Sequence, residues 1–296
     1  MSRAFAGKVA VVTGSTRGLG KAMAHAFLEE GAAVVVSGRS PEAVGQASAE
    51  LGSLGAHVFG QACDVASREQ VHALAEAALQ QFGQLDIWVN NAGLSAPYGP
   101  TLAVAPEVFE GVVGTNILGV YHGAMEALGI FVPRGSGKLI NMLGFGDRGS
   151  APLQNAYGAS KSWIRAFTRS LADEYQSSGI GVFAFNPGLV RTDLTLRPTA
   201  VAGYEGRLGG AFVAVLRMWS SPPELPARKA VWIASSATDG RTGLEVRFGG
   251  PGRLLLGALG EIGRRVTRRP GPEVSIQIET VQPAAGDPGG PRLKKP

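Results

Sequence analysis

The 296 residues are 45% apolar and 17% charged, a balance that supports a sizeable core and excludes a disordered chain. The net charge of +5 sits mostly in the tail, where residues from Pro251 onward hold eight Lys/Arg against four Asp/Glu, so basicity is no argument for nucleic-acid binding by the main body. The single cysteine, Cys63, excludes an intrachain disulfide framework and points to a reducing compartment.

The opening MSRAFAGKVAVVTG lacks the apolar stretch and cleavage site of a secretion signal, and no run is long enough to cross a membrane. A cytoplasmic protein with no integral membrane segment is expected. Short apolar runs then recur along the chain: Lys8–Thr13, Ala32–Ser37, His57–Cys63, Leu85–Val89, Lys138–Met142, Gly181–Phe185 and Leu244–Phe248 read as strands. Between them lie helical periodicities such as Glu69–Phe82 and Ala156–Tyr175. Strand–helix alternation predicts a doubly wound α/β Rossmann fold, a parallel sheet with helices on both faces, over residues 1–250. Strands such as VAVV are apolar on both sides, as a sheet covered twice requires. Residues 194–226 break the rhythm and read as a substrate-lid insertion.

A basic extension, 251–296, differs in kind. Arg253–Arg269 has an amphipathic helical pattern weakened by three glycines, and Val274, Ile276 and Ile278 alternate with polar residues as in a half-buried strand. Residues 283–296 are Pro/Gly-rich and expected to be disordered. Packing over its own or a neighbouring subunit is the leading use for the extension, with contact to an anionic membrane surface second.

The first strand runs into Thr13-Gly14-Ser15-Thr16-Arg17-Gly18-Leu19-Gly20 and then a helix. Glycines let the backbone turn sharply and approach a pyrophosphate, and the helix N-terminus offers free N–H groups. The second strand ends at Ser37-Gly38-Arg39-Ser40 without the acid that accepts from a ribose 2′-hydroxyl. Arg39 and Arg17 suit a 2′-phosphate instead, so NADP(H) is expected in preference to NAD(H).

With these motifs the sequence resembles the short-chain dehydrogenase/reductase family over about residues 5–250. Besides Thr13–Gly20, the resemblance rests on Asp64 in Cys63-Asp64-Val65, on Asn90-Asn91-Ala92-Gly93, and on Asn116. It continues through Tyr157-Gly-Ala-Ser-Lys161 and Pro187-Gly188-Leu189-Val190-Arg191-Thr192. It implies an enzyme that interconverts a carbonyl and an alcohol by hydride transfer, with Asn116, Tyr157 and Lys161 as catalytic residues. The implied cofactor contacts are Gly14, Ser15, Arg17, Gly18, Leu19, Gly20, Arg39, Ser40, Asp64, Val65, Asn90, Ala92, Gly93, Tyr157, Lys161, Pro187, Gly188, Val190 and Thr192. No metal site is expected. The family's helices carrying Asn116 and Tyr157 often build a homodimer or homotetramer.

Tyr157 and Lys161 are four apart on a predicted helix and project from one face. A neighbouring ammonium is expected to lower the phenol's pKa and make it a proton shuttle. One departure stands out: the family's usual serine, thirteen positions before the tyrosine, is Gly144. Losing such a donor typically costs about 10²–10³ in rate. Three readings stay open: Ser150, or less favourably Asp147 or Arg148, substitutes for it; a substrate with its own hydroxyl compensates; or the chain is an NADP(H)-sensing protein without efficient turnover. Leu94–Tyr98, Phe145–Gln154 and Leu194–Trp219 are the candidate pocket segments, and their apolar character predicts an apolar small-molecule substrate.

Overall fold

The computed structural model describes residues 3–53, 57–249, 252 and 274–284. Its strands begin where β-branched runs allow. They are β1 (Val9–Val12), β2 (Ala33–Gly38), β3 (Val58–Ala62), β4 (Ile87–Asn90), β5 (Lys138–Met142), β6 (Gly181–Asn186), β7 (Thr199–Val201), β8 (Glu245–Arg247) and β9 (Glu279–Val281). Seven of them form one parallel sheet in the order β3-β2-β1-β4-β5-β6-β8, while β7 and β9 pair with each other. The reversal of strand order between β1 and β4 opens a crevice at the C-terminal sheet edge, where ligands bind in such folds.

Every residue of β1 is buried. Ala10 and Val12 enter one core cluster and Val9 and Val11 the other, because successive side chains point to opposite faces. The first cluster packs under α1 (Gly18–Glu29), α2 (Pro41–Gly52) and α9 (Glu224–Ala234), with Phe27 and Phe183 fully enclosed. The second packs under α3 (Arg68–Phe82), α5 (Gly119–Arg134) and α6 (Asn155–Glu174), around Trp88 and Phe131. Burying each of these large side chains stabilises the fold by roughly 1.5–3 kcal/mol. Ser40 and Ser67 cap α2 and α3, and Gly83 ends α3 in a left-handed turn.

Most strand boundaries move by a residue or two from the sequence reading, and two places stand out. Leu85 and Asp86 precede β4 rather than belonging to it, because the Asp86 carboxylate is taken up by the Val9 N–H, Lys8 and Arg134. In the extension, Val274, Ile276 and Ile278 are partly buried between exposed neighbours, as the alternation predicts, but regular pairing starts only at Glu279. The predicted helix over Arg253–Arg269 lies outside the described residues, as do residues 285–296. Pro283 and Ala284 are not free chain: the Ala284 N–H donates to the Ala103 carbonyl. Beyond β6 the substrate side carries α7 (Asp193–Leu196), β7 and α8 (Gly210–Trp219).

Candidate active site

Because the main sheet is parallel, the loops after β1 to β6 all emerge along one edge, and the candidate residues lie in these loops, at the strand ends that feed them and on α1, α6 and the segment before α5. The glycine loop is built by φ and by close approach. Gly14 (φ 64°) and Gly18 (φ 55°) have left-handed backbone, and a Cβ on Gly20 would lie 2.2 Å from the Gly14 carbonyl oxygen. The first turn of α1 then faces the crevice with unsatisfied N–H groups. A Cβ on Gly18 would press on Thr192 of the post-β6 loop at 3.3 Å, and one on Gly93 would sit 3.9 Å from Lys161 Nζ. These bare positions on both crevice walls fit an extended dinucleotide.

Several side chains have other duties than the sequence suggested. Ser15 is fully buried, its hydroxyl donating to the Val12 carbonyl (2.6 Å) and accepting from Ser37 N–H (2.9 Å), so its side chain bridges β1 and β2. Thr16 takes the outward place beside the end of β2, where a Cβ on Gly38 would lie 2.8 Å from Thr16 Cγ2. Arg17 turns the other way and pairs with Asp193 at 3.3 Å, both side chains exposed. That leaves Arg39, exposed directly after Gly38 at the end of β2, as the other arginine the sequence offers here. Ser40 caps α2, accepting from Ala43 N–H. Asp64 follows β3, its carboxylate accepting from Ala66 N–H, and Val65 beside it is buried.

Asn90 is a core residue rather than a surface contact. Its amide accepts from Trp88 Nε1 (2.7 Å) and donates to the Val120 carbonyl and to Asn141 Oδ1 (2.9 Å). Asn91, which the sequence reading passed over, donates to the Thr13 and Gly14 carbonyls and so binds the post-β4 loop to the glycine loop. A Cβ on Gly14 would stand 2.9 Å from Ala92 Cα, which shows how closely these loops pack.

Asn116 lies in a single π-helical stretch, Val113–Leu118, between α4 (Pro106–Val112) and α5. Such bulges occur frequently at functional sites. Its side chain is fully buried, accepting from Leu94 N–H (2.8 Å) and donating to the Leu94 carbonyl (2.9 Å) and Ser160 Oγ (3.0 Å). It therefore ties the Leu94 loop to α6 one turn from Tyr157.

On α6 Lys161 is buried and donates to the Met142 carbonyl at the end of β5 (3.0 Å), with Nζ 5.5 Å from the Tyr157 ring centroid. The expected lowering of the phenol's pKa is not what this geometry gives. Burial pushes the Tyr157 hydroxyl up, and the negative ends of Tyr98 and Asp147 push the same way. Burial likewise brings the Lys161 ammonium down to about 8, opposed by the Asp147 carboxylate.

Gly144 follows β5, and the space of its missing side chain is filled. A Cβ there would stand 2.4 Å from Tyr157 Oη and 3.5 Å from Lys161 Cγ. Ser150 is exposed in the following turn. Asp147, rated below it from the sequence, is instead buried at 6% exposure. Its carboxylate receives Asn186 Nδ2 (3.0 Å) and pairs with Arg247. Arg148 points away to Glu245.

The segments Leu94–Tyr98, Phe145–Gln154 and Leu194–Trp219 bring apolar and aromatic side chains together. Phe145 and Leu194 are exposed, Tyr98 stacks at a tilt against Phe212 of α8 (6.5 Å), and Gln154 braces the Ser95–Ala96 turn. Tyr98 also bridges to Ala200 of β7, so the post-β4 loop and the segment holding β7 form one wall. Leu153 there has φ of 66°, a strained value for a leucine.

A family model described as short chain dehydrogenase matches residues 8–200. The chain belongs to the short-chain dehydrogenase family. Among curated relatives, the "Probable chlorophyll(ide) b reductase NYC1, chloroplastic" of Oryza sativa subsp. japonica is 38% identical over 205 residues, 63% of this chain and 41% of that one. The chain thus spans less than half the length of the first plant relatives it matches. A 3beta-hydroxysteroid dehydrogenase 1 of Eggerthella lenta is 36% identical over 246 residues, covering 80% of this chain and 90% of that one. The solved 3-ketoacyl-(acyl-carrier-protein) reductase of Brucella melitensis, complexed with NADH, superposes with a TM-score of 0.74 at 30% identity, over 84% of this chain and 99% of that one. No described helix is long and apolar enough to cross a membrane.

Proposed function

We propose that this short-chain dehydrogenase is an NADP(H)-dependent oxidoreductase that interconverts a carbonyl and an alcohol on an apolar small molecule. The observation that carries the reading is the convergence of Tyr157 Oη, the buried Lys161 ammonium and the bare Gly93 and Gly18 on one crevice. The nicotinamide dinucleotide supplies or accepts the hydride. The glycine loop and the first turn of α1 would hold its phosphates, with Asp64 and Val65 on the adenine side and Pro187–Thr192 on the opposite wall. Tyr157 Oη gives its proton to the substrate oxygen, or takes it in the reverse direction, and its raised pKa keeps that proton in place at neutral pH. Lys161 supplies positive charge as the phenolate forms, and Asn116 holds the Leu94 loop against α6.

Preference for NADP(H) rests on Arg39, exposed just after β2, and on the lack of an acid at the end of that strand. Arg17, committed to Asp193, adds less than its sequence position implied. The solved neighbour holding NADH supports a nicotinamide cofactor without favouring either form. We assign residues 1–250 as the catalytic domain and 194–226 as its lid. Phe109, Leu118, Tyr121 and Met125, exposed on α4, the π-helix and α5, support a homodimer or homotetramer.

A second reading, a protein that binds NADP(H) without turning over, is favoured by Gly144 alone. Titration with NADPH and NADH, then a panel of apolar ketones with wild type and Tyr157→Phe, separates the two. The enzyme reading expects turnover that falls about 10²–10⁴-fold in Tyr157→Phe with NADPH binding retained. Tight NADPH binding with no turnover across the panel would establish the second.

A further inference from the structure

Residues 274–284 belong to none of the seven strands of the main sheet, yet hydrogen bonds fix them along the segment after β6. Gln277 N–H donates to the Leu196 carbonyl at the end of α7 (2.8 Å), and Glu279 N–H to the Pro198 carbonyl (3.1 Å). β9 then runs parallel to β7, and the Val281 carbonyl accepts from Ala202 N–H (2.9 Å). Thr280 Oγ1 donates to Glu205 Oε1 (3.3 Å), and the other Glu205 oxygen accepts from Gly203 N–H (2.9 Å). Finally, Ala284 N–H reaches the Ala103 carbonyl in the post-β4 segment (3.0 Å).

The opposite edge of β7 is bonded as well. Tyr98 N–H donates to the Thr199 carbonyl and Val201 N–H to the Tyr98 carbonyl, each at 2.9 Å. Ala200 and Val201 are buried, and a Cβ on Gly99 would lie 2.5 Å from Val201 Cγ2. The stretch holding Tyr98 is joined in turn to the chain that enters α6: Gly99 N–H donates to the Leu153 carbonyl (3.1 Å) and Gln154 Nε2 to the Ala96 carbonyl (2.6 Å). Four stretches of chain therefore stand in a row, from the residues leading to Tyr157, through 95–99 and 198–202, to 277–281.

A three-residue strand is weakly held by its own hydrogen bonds, because ordering a residue costs more than one such bond returns. In the outer segment, half-burial of Val274, Ile276 and Ile278 between exposed Ser275, Gln277 and Glu279 contributes the remainder. We propose that residues 274–284 are a positioning strap for the wall beside Tyr157: by holding β7 they hold Tyr98 and the post-β4 segment where a substrate is received. The proposal deepens the oxidoreductase reading, which supplies the substrate, while the mechanical part stands apart from it. Covering an open strand edge would by itself explain the pairing of β9 with β7. It would not explain the reach to Ala103, which adds no pairing to β7 and instead fastens the post-β4 segment directly.

The experiment compares the 296-residue wild type with Gln277→Pro, Gln277→Ala and Ala284→Pro. Proline at 277 removes the N–H that bonds Leu196, whereas alanine keeps it and changes only an exposed side chain. Ala284→Pro cuts the Ala103 end in the same way. Hydrogen exchange is read at the amides of Tyr98, Gly99 and Val201, with Thr13 as the reference on the nucleotide side. KM and kcat on the best ketone of the panel, and NADPH affinity, are read beside it. Both proline variants are expected to speed exchange at the three amides about tenfold with Thr13 unchanged, and to raise KM several-fold at unchanged kcat and NADPH affinity. Gln277→Ala is expected to match wild type. Unchanged exchange in both proline variants, a Gln277→Ala as impaired as Gln277→Pro, or faster exchange with KM unmoved would overturn the proposal. So would equal losses at Thr13 and in NADPH affinity, which mark general unfolding. A wild type that turns over no ketone defeats the oxidoreductase reading, and the exchange comparison then still decides whether the strap holds Tyr98 in place.

Discussion

Adding a methyl group at Gly144 tests the arrangement of the site directly. The new Cβ stands 2.4 Å from Tyr157 Oη and 3.3 Å from Cζ, whereas non-bonded atoms rest at about 3.5 Å. The backbone at 144 lies outside the left-handed region, so the substitution brings no φ penalty, and the clash falls on the tyrosine alone. The hydroxyl has to retreat by about 1 Å, and a misplacement of that size costs on the order of 10²-fold in rate, or about 2.7 kcal/mol of transition-state stabilisation. Overpacking adds roughly 1–3 kcal/mol of instability. The assay is kcat/KM for NADPH oxidation with the best ketone of the panel, beside NADPH affinity and a urea midpoint. Gly144→Ala is expected to lose about 10²-fold in kcat/KM at near-normal NADPH affinity. Gly144→Ser adds a hydroxyl beside the displaced tyrosine and is expected to regain part of that loss, as a donor to the substrate oxygen. If Gly144→Ala stays within about twofold of wild type while remaining folded, Tyr157 does not act from the position it occupies here, and the geometric argument fails.

Three further outcomes follow. Arg39→Ala is expected to weaken NADPH binding by about 10–100-fold, the worth of a charge-assisted contact, while NADH binding changes little; equal losses for both would remove the 2′-phosphate assignment. Lys161→Met is expected to abolish turnover and yet raise stability at pH 7 by on the order of 1–3 kcal/mol, because a pKa brought from 10.5 to about 8 means the folded state carries a charge penalty in full below pH 8. That gain should vanish as pH rises towards the unfolded value, which urea midpoints at neutral and alkaline pH will show. Glu279→Pro removes the N–H that donates to the Pro198 carbonyl, so it is expected to speed proteolysis within 194–219 and raise KM several-fold with NADPH affinity unchanged.

Strands and helices were readable because their signals are local: VAVV, AVVVSG and the Tyr157–Lys161 spacing each declare an element within a few residues. The glycine loop was equally plain, but which of its side chains turns outward was not. Ser15 and Thr16 are chain neighbours, and only the pairing of β1 with β2 buries one fully and leaves the other half-buried. Long-range partners were hidden for the same reason. Arg17 meets Asp193 across 176 positions and Asp147 meets Arg247 across 100, and nothing near either arginine marks its partner. Asn116 was found by resemblance, but the π-helical stretch that aims it has no periodic signature. The occupation of the Gly144 space by Tyr157 Oη was invisible, because a missing side chain says nothing of what fills its place.

The pairing of β7 with β9 also dictates an order of events during synthesis. Strands β1 to β6 and the helices between them are complete once residue 186 is made, and domains fold largely from the N-terminus as the chain emerges. Strand β7 at 199–201 waits about another 80 residues for its partner at 279–281, a contact of high sequence separation that forms late. Until residues 279–281 are made, the first six strands therefore stand beside a β7 that has no partner strand.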